Sequence, residues 1–438
     1  MTFVSILIAV LVFSLLVLFH EFGHFIVAKA VGIGVTEFSL GMGPRILSFQ
    51  KGDTRYSWKA IPFGGSCAMV GEDEDEEKPP ANSFNAKPAW ARFLVVLAGP
   101  AFNVILAFLL SFFLIGMGGI NTRQVSSVTR NGPAEKAGIE AWKDSVTSIN
   151  GKKIGMGRDL YLYTLSHPLD GSEVTLTVER DGEERTVTID PKISGFRIGI
   201  AYMSSDEAAA LSSVTEGLPA YQAGLRAGDV ITAVNGETIE SGKALADYFS
   251  AHPVDGSTLT LDVARGGEKL TLQMTPEPYE AYDLGFQAFF VYKEWDGKVG
   301  ELLSSSLNEI RYWLSYVVIT LKMLFAGQVG VKDLSGPVGI VSTISSAVES
   351  GVENGGTKLA FINVLELTVL LSVNLGVMNL LPIPALDGGR ILFILFEMIF
   401  RKPVPKKAEG IVHLIGFALL MLLMVFILFN DILRLIRG

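Results

Sequence analysis

The sequence has a single cysteine, Cys67, in 438 residues, so no internal disulfide can form and the redox compartment stays open. It also lacks an excess of positive charge. The formal net charge is −9, which excludes the broad basic surface that nucleic-acid binding requires. No Lys or Arg precedes Lys29, and residues 3–19 hold no charge and only the hydroxyls of Ser5 and Ser14. A cleaved secretory signal begins with positive charge, so this run reads instead as a retained membrane span. With 49% hydrophobic and 18% charged residues, the chain is too apolar for a soluble protein and too charged to lie wholly in lipid. It predicts several spans plus one soluble insert.

The first span (residues 1–28) ends in His20-Glu21-Phe22-Gly23-His24. Positions four apart share a helix face, so His20 and His24 can offer two imidazole nitrogens to one metal ion. Tetrahedral zinc takes such ligands and keeps a position open for water in a catalytic site. Glu21, beside them, is placed to take up and pass on that water's proton. Ionisable groups inside a span are costly unless they serve a function. A third ligand has to come from elsewhere in the chain.

Residues 29–92 carry Lys29, Arg45, Lys51, Arg55, Lys59, Lys78, Lys87 and Arg92, so this loop reads as cytoplasmic and the N-terminus as external. Within it, residues 35–49 and 56–65 suggest short strands, punctuated by Gly41-Met42-Gly43-Pro44 and Phe63-Gly64-Gly65. A free strand edge there can hold an extended peptide by main-chain hydrogen bonds, or the element is an ordinary hairpin. The six acids Glu72-Asp73-Glu74-Asp75-Glu76-Glu77 read as a solvated linker. A second span follows over 93–117. It contains Gly99-Pro100, which calls for close helix neighbours, and Asn103, which reads as an inter-helix hydrogen-bonding residue.

Residues 121–292 change character and repeat. Ser126-Ser127-Val128 recurs as Ser212-Ser213-Val214, Asn150-Gly151 as Asn235-Gly236, and Asp170-Gly171 as Asp255-Gly256. Two tandem domains are expected, at 121–204 and 205–292. His167 and His252 take matched places in the copies, which argues for turn structure over metal binding. Residues 301–326 are apolar but include Asn308, Glu309, Arg311 and Lys322, the pattern of an amphipathic helix on the membrane surface. A third span, 359–381, runs into Leu381-Pro382-Ile383-Pro384-Ala385-Leu386-Asp387-Gly388, whose prolines leave Asp387 on a turn. A fourth covers 410–430. Basic residues after Asp387 put it on the same side as the histidine pair, which makes it the leading third ligand, with Glu366 and His413 as rivals.

His-Glu-Phe-Gly-His in a first span, Asn374-Leu375-Gly376-Val377-Met378-Asn379 running into the Leu-Asp-Gly turn, and Ala223–Gly236, which is similar to bacterial PDZ domains, together resemble the site-2 protease family of intramembrane zinc metalloproteases. The first repeat has Trp142-Lys143 where the PDZ pattern wants Ala-Gly. The resemblance implies a polytopic α-helical membrane protein of four transmembrane helices, with a membrane-associated β-hairpin region and two tandem α+β PDZ domains. It implies zinc on His20, His24 and Asp387, Glu21 as base, and substrate binding by Asn374 and Asn379. It further assigns substrate pairing to the hairpin at Gly41, Met42 and Gly43. Implied substrates are single-span membrane proteins such as a pre-trimmed anti-sigma factor, and signal-peptide remnants, with peptide ligands for the PDZ grooves. The implied location is the bacterial inner membrane, with both termini and the PDZ pair periplasmic and the active site near the cytoplasmic side. Two other classes fit part of the sequence. One is a PDZ-containing membrane adaptor without proteolytic activity. The other is a metal-dependent transporter, disfavoured because the intramembrane polar residues gather in one cluster.

Overall fold

A computed structural model describes residues 3–72, 80–330, 335–402 and 404–437. Most of the acidic run, residues 73–79, lies outside the described residues. The chain opens with α1 (Phe3–Ala30), β1 (Val35–Lys51), β2 (Thr54–Met69) and α2 (Ala89–Gly118). The first repeat contains β3 (Ile120–Asn121), β4 (Ser127–Val128), α3 (Pro133–Lys136), β5 (Ser145–Ile149), β6 (Lys152–Lys153), α4 (Arg158–Ser166), β7 (Val174–Arg180) and β8 (Glu183–Ile189). Then come β9 (Lys192–Arg197), β10 (Ile200–Tyr202), β11 (Leu211–Val214), α5 (Pro219–Gln222), β12 (Val230–Val234), β13 (Glu237–Thr238), α6 (Gly242–Ala251), β14 (Leu259–Arg265) and β15 (Glu268–Met274). Short strands β16 (Glu277–Tyr282), β17 (Phe286–Gln287) and β18 (Tyr292–Lys293) lead to α7 (Val299–Phe325), α8 (Pro337–Asn379), α9 (Asp387–Phe400) and α10 (Lys406–Arg437).

Two compact units result: Met1–Thr122, Gly155–Ser166 and Phe289–Gly438 in one, Arg123–Ile154 and His167–Ala288 in the other. In the first, α1, α2, α8 and α10 are long and apolar enough to cross a membrane. Helix α2 is the hub, packed on α1, α7, α8 and α9. Its Gly and Pro content allows this. Gly376 of α8 lies so close that a Cβ there would sit 3.0 Å from the Pro100 carbonyl oxygen, the small-residue contact by which helices associate without a hydrophobic drive. Val12 and Leu16 of α1 bury against Leu106 of α2. Ile310, Trp313 and Val317 of α7 bury against Ala107, Leu114, Leu365 and Val369. One apolar stripe of α7 is thus buried on helices α2 and α8, while Leu303, Leu307, Val318 and Phe325 stay exposed.

The structure adds to some expectations and corrects others. Helix α8 joins two helices across non-helical Gly355 and Gly356, so the part after the kink starts close to the expected residue 359 and the part before it, from Pro337, is a further helix. Gly41-Met42-Gly43-Pro44 turns the chain back, as its punctuation suggests: Gly41 and Gly43 both hold φ +86°, residues 37–40 run parallel to 55–58, and residues 47–50 pair with those same residues in the opposite direction. Register shifts fold the two strands so that residues 37–40 have partners both at 55–58 and at 65–68. Glu37 pins the fold, accepting hydrogen bonds from Arg45 Nε (2.7 Å) and Ser57 Oγ (2.6 Å). Asp387 is not on a turn but opens α9, a helix the double glycine concealed.

The second unit holds two four-stranded sheets of the same order, β6-β5-β7-β8 and β13-β12-β14-β15. The copies share their bracing. Arg180 Nε donates to Asp144 (2.6 Å) and Arg265 Nε to Asp229 (2.7 Å), while Asn150 and Asn235 each accept from the backbone of Thr175 and Thr260. The expected boundary at 204/205 cuts through paired chain. Strand β10 pairs with β11, β9 with β16, and β4 with β17, so the copies interleave instead of following one another. In the second copy α6 supplies Leu245 and Tyr248 to the core. Its counterpart α4 belongs to the first unit.

Candidate metal centre

The first-unit helices bring His20, His24 and Asp387 together, one ligand atom from each lying within 4.8 Å of the others. Helix periodicity aligns the two histidines. Asp387 arrives because α9 starts there, after a turn held by Ala385 at φ +77°. That strained residue is fixed from α10: its backbone N–H donates to His413 Nδ1 at 2.8 Å. Gly388 and Gly389 let the new helix close against its own turn, since a Cβ at either would overlap the backbone of residues 380–384.

The pair is buried, with His20 9% and His24 8% exposed. Asp387 Oδ2 lies 3.1 Å from His20 Nε2 and 3.4 Å from His24 Nε2, and the two nitrogens are 3.2 Å apart. These are the edges, about 3.3 Å, of a tetrahedron around an ion held at roughly 2.0–2.1 Å by nitrogen and oxygen ligands. Oδ2 accepts no hydrogen bond among the described residues, an arrangement that costs free energy in a buried carboxylate unless a cation completes it. Two imidazoles and a carboxylate are a catalytic-zinc donor set with one position to spare. His24 Nδ1 lies 2.8 Å from the Val95 carbonyl. Donation to that oxygen keeps the proton on Nδ1 and frees Nε2.

The helices fit around this point with no room for larger residues. A Cβ at Gly99 would overlap the His24 ring and crowd His20 Cε1, and one at Gly23 would overlap the Ala98 carbonyl. Glu21 is half-buried next to the outer rung of the hairpin, where a Cβ at Gly65 would stand 3.1 Å from its Cγ. Asn374 and Asn379 lie on the last turns of α8, half-buried and with no side-chain partner among the described residues. Met42 is exposed on β1 between its two glycines.

The rival ligands are engaged elsewhere. Glu366 accepts from Arg158 Nη1 at 2.5 Å, in a cluster where Arg158 also pairs with Glu309, and His413 holds Ala385. Composition gives no sign of the Val95 carbonyl, and from sequence Gly99 signals only close packing. The four-residue step from Gly99 to Asn103 was the available signal, since it puts both on the α2 face that meets the histidines.

Residues 8–423 match the model of peptidase family M50. The chain belongs to this family, the site-2 proteases. It is 30% identical over 450 residues to zinc metalloprotease RasP of Geobacillus kaustophilus, covering 98% of each chain. It is 32% identical over 448 residues to zinc metalloprotease RasP of Bacillus licheniformis, covering 97% of this chain and 98% of that one. Among solved structures, the HtrA3 PDZ domain bound to a phage-derived ligand overlaps 20% of this chain and 91% of its own at 21% identity, with a TM-score of 0.18, too low to bear weight. The M50 chain is therefore a multi-pass membrane protein and a zinc-dependent metalloprotease of site-2 type.

Proposed function

We propose that this protease cuts single-span membrane substrates inside the bilayer, with its zinc on His20, His24 and Asp387. The observation that carries the reading is Oδ2 of Asp387, a buried atom that accepts no hydrogen bond among the described residues and lies in tetrahedral-edge distance of both imidazoles. When bound, zinc supplies a Lewis acid for the scissile carbonyl and makes water a nucleophile near neutral pH. Glu21 takes the proton of the attacking water and delivers it to the leaving amine. The Val95 carbonyl keeps His24 in the ligating tautomer.

A substrate helix pairs all its backbone groups internally, so it must be unwound before cleavage. Among the described residues, the outer rung at 65–68 has pairing partners on one side only, and it runs beside Glu21. A substrate strand added there gains main-chain hydrogen bonds, with Gly41, Met42 and Gly43 shaping the bend and the free amides of Asn374 and Asn379 taking further backbone groups. The two interleaved repeats are read as PDZ domains that bind peptide ends or exclude a bulky outer domain, so a pre-trimmed anti-sigma factor and signal-peptide remnants suit as substrates. Charge bias in the loops places the termini and the repeats outside the bacterial inner membrane and the zinc near its cytoplasmic face. The test is cleavage of a model single-span substrate in detergent and in liposomes. Glu21→Gln is expected to keep zinc and lose cleavage; continued cutting by that variant ends the assignment.

A further inference from the structure

Asn103 of α2 is fully buried, at 0% exposure. Its side-chain amide meets His20 Nδ1 at 3.1 Å through Nδ2, while Oδ1 has no partner among the described residues. Its backbone carbonyl accepts from Ser372 Oγ of α8 at 2.7 Å. One residue therefore ties the helix of the histidine pair to α2 and to the helix that bears Asn374.

His20 points Nε2 at Asp387. A neutral imidazole that gives Nε2 to a metal carries its proton on Nδ1, and that proton needs an acceptor. Nδ2 of an amide cannot accept. Oδ1 can, and the two ends of an amide occupy the same shape, so a half-turn about the last side-chain torsion exchanges them. The turn places the unpartnered oxygen on the nitrogen that requires it. His24 solves the same problem with the Val95 carbonyl. Each of the two ligating rings is thereby held by one oxygen of α2.

We propose that Asn103 is the positioning residue of His20: its amide oxygen accepts the Nδ1 proton, sets the ring's tautomer and aims Nε2 at the zinc. This rests on the zinc reading given above. The test uses the full-length protein in detergent and measures zinc retained against graded chelator for the parent, Asp387→Ala, Asn103→Leu and Asn103→Asp. Leucine matches the shape of asparagine without an acceptor; aspartate offers an oxygen in either orientation. Asn103→Leu is expected to weaken zinc binding by about 10–100-fold, with Asn103→Asp restoring it. A second readout is the visible absorption of the cobalt-substituted protein, which reports ligand geometry and is expected to change in Asn103→Leu. If Asn103→Asp does not assemble, the cobalt spectrum decides: a changed spectrum upholds the proposal and an unchanged one overturns it. Parent-like zinc retention in Asn103→Leu overturns it, as does equal weakening in both variants with unaltered cobalt spectra, the mark of packing alone. If Asp387→Ala keeps its zinc, the metal assignment itself fails; if that variant loses zinc while Asn103→Leu does not, only the role of Asn103 falls.

Discussion

The two units handle buried polar groups in opposite ways. In the repeats, Asp144 and Asp229 are each gripped by an arginine, and Asn150 and Asn235 each cap a backbone amide. Among the helices, Asp387 Oδ2 and Asn103 Oδ1 accept nothing among the described residues, and Ala385 holds a φ of +77°. Saturated networks at matched positions are scaffolding. A cluster of unsatisfied groups held by strained backbone is a place shaped for something that arrives later.

That contrast can be broken at several points. The largest effect is expected from Asp387→Ala, which should empty the site of zinc and lower cleavage by at least about 10³-fold, roughly 4 kcal/mol of barrier; metal analysis with a cleavage assay checks both. Gly99→Ala comes next. Its methyl group would displace the His24 ring, and a shift of about 1 Å at reacting groups costs about 10²-fold in rate. The expected signature is lost turnover with the fold intact by circular dichroism.

Arg158 tests whether the first unit has scaffolding of its own. Its guanidinium pairs with Glu309 and Glu366 and lies 4.6 Å from the Tyr312 ring centroid. Arg158→Met should cost about 3–5 kcal/mol in thermal unfolding by stranding Glu309, and adding Glu309→Gln should recover part of it.

In the repeats, Arg265 holds the Asp229 carboxyl below its usual range. A depressed folded pKa means the stabilisation is complete above the unfolded value near ~3.9 and is lost as pH falls through the lower folded value. Asp229→Asn should therefore cost about 1.5–3 kcal/mol at neutral pH, read as faster amide exchange in β12 and β14, with the gap to the parent closing below about pH 4. The smallest effect sharpens the comparison between the copies. Trp142 and Gly228 make equivalent backbone bonds, to Val125 and Leu211, and both have positive φ, +63° and +88°. Trp142→Gly should stabilise by up to about 1 kcal/mol, and Gly228→Ala should destabilise by a similar amount.

How much was legible follows the same division. His20, His24 and Asp387 could be named because spacing and charge bias carry them, and the repeat was visible residue by residue. The helix α9 was hidden because Leu-Asp-Gly-Gly reads as a turn; its glycines serve instead for close backbone contact. Residues 337–354 were missed because serine, glycine and glutamate dilute their apolar pattern. Glycines 41 and 43 signalled the chain reversal that is found, but not that the two arms would flank the same 55–58 segment. Val95 contributes through its carbonyl, which no side-chain pattern announces.

The helix that begins at Asp387 has a consequence for the making of the protein. The histidines precede both repeats and α8 in the chain, and the carboxylate follows them. A chain cut short anywhere between them holds the paired imidazoles without their carboxylate partner, so the proposed metal centre closes only when the last third of the polypeptide is in place.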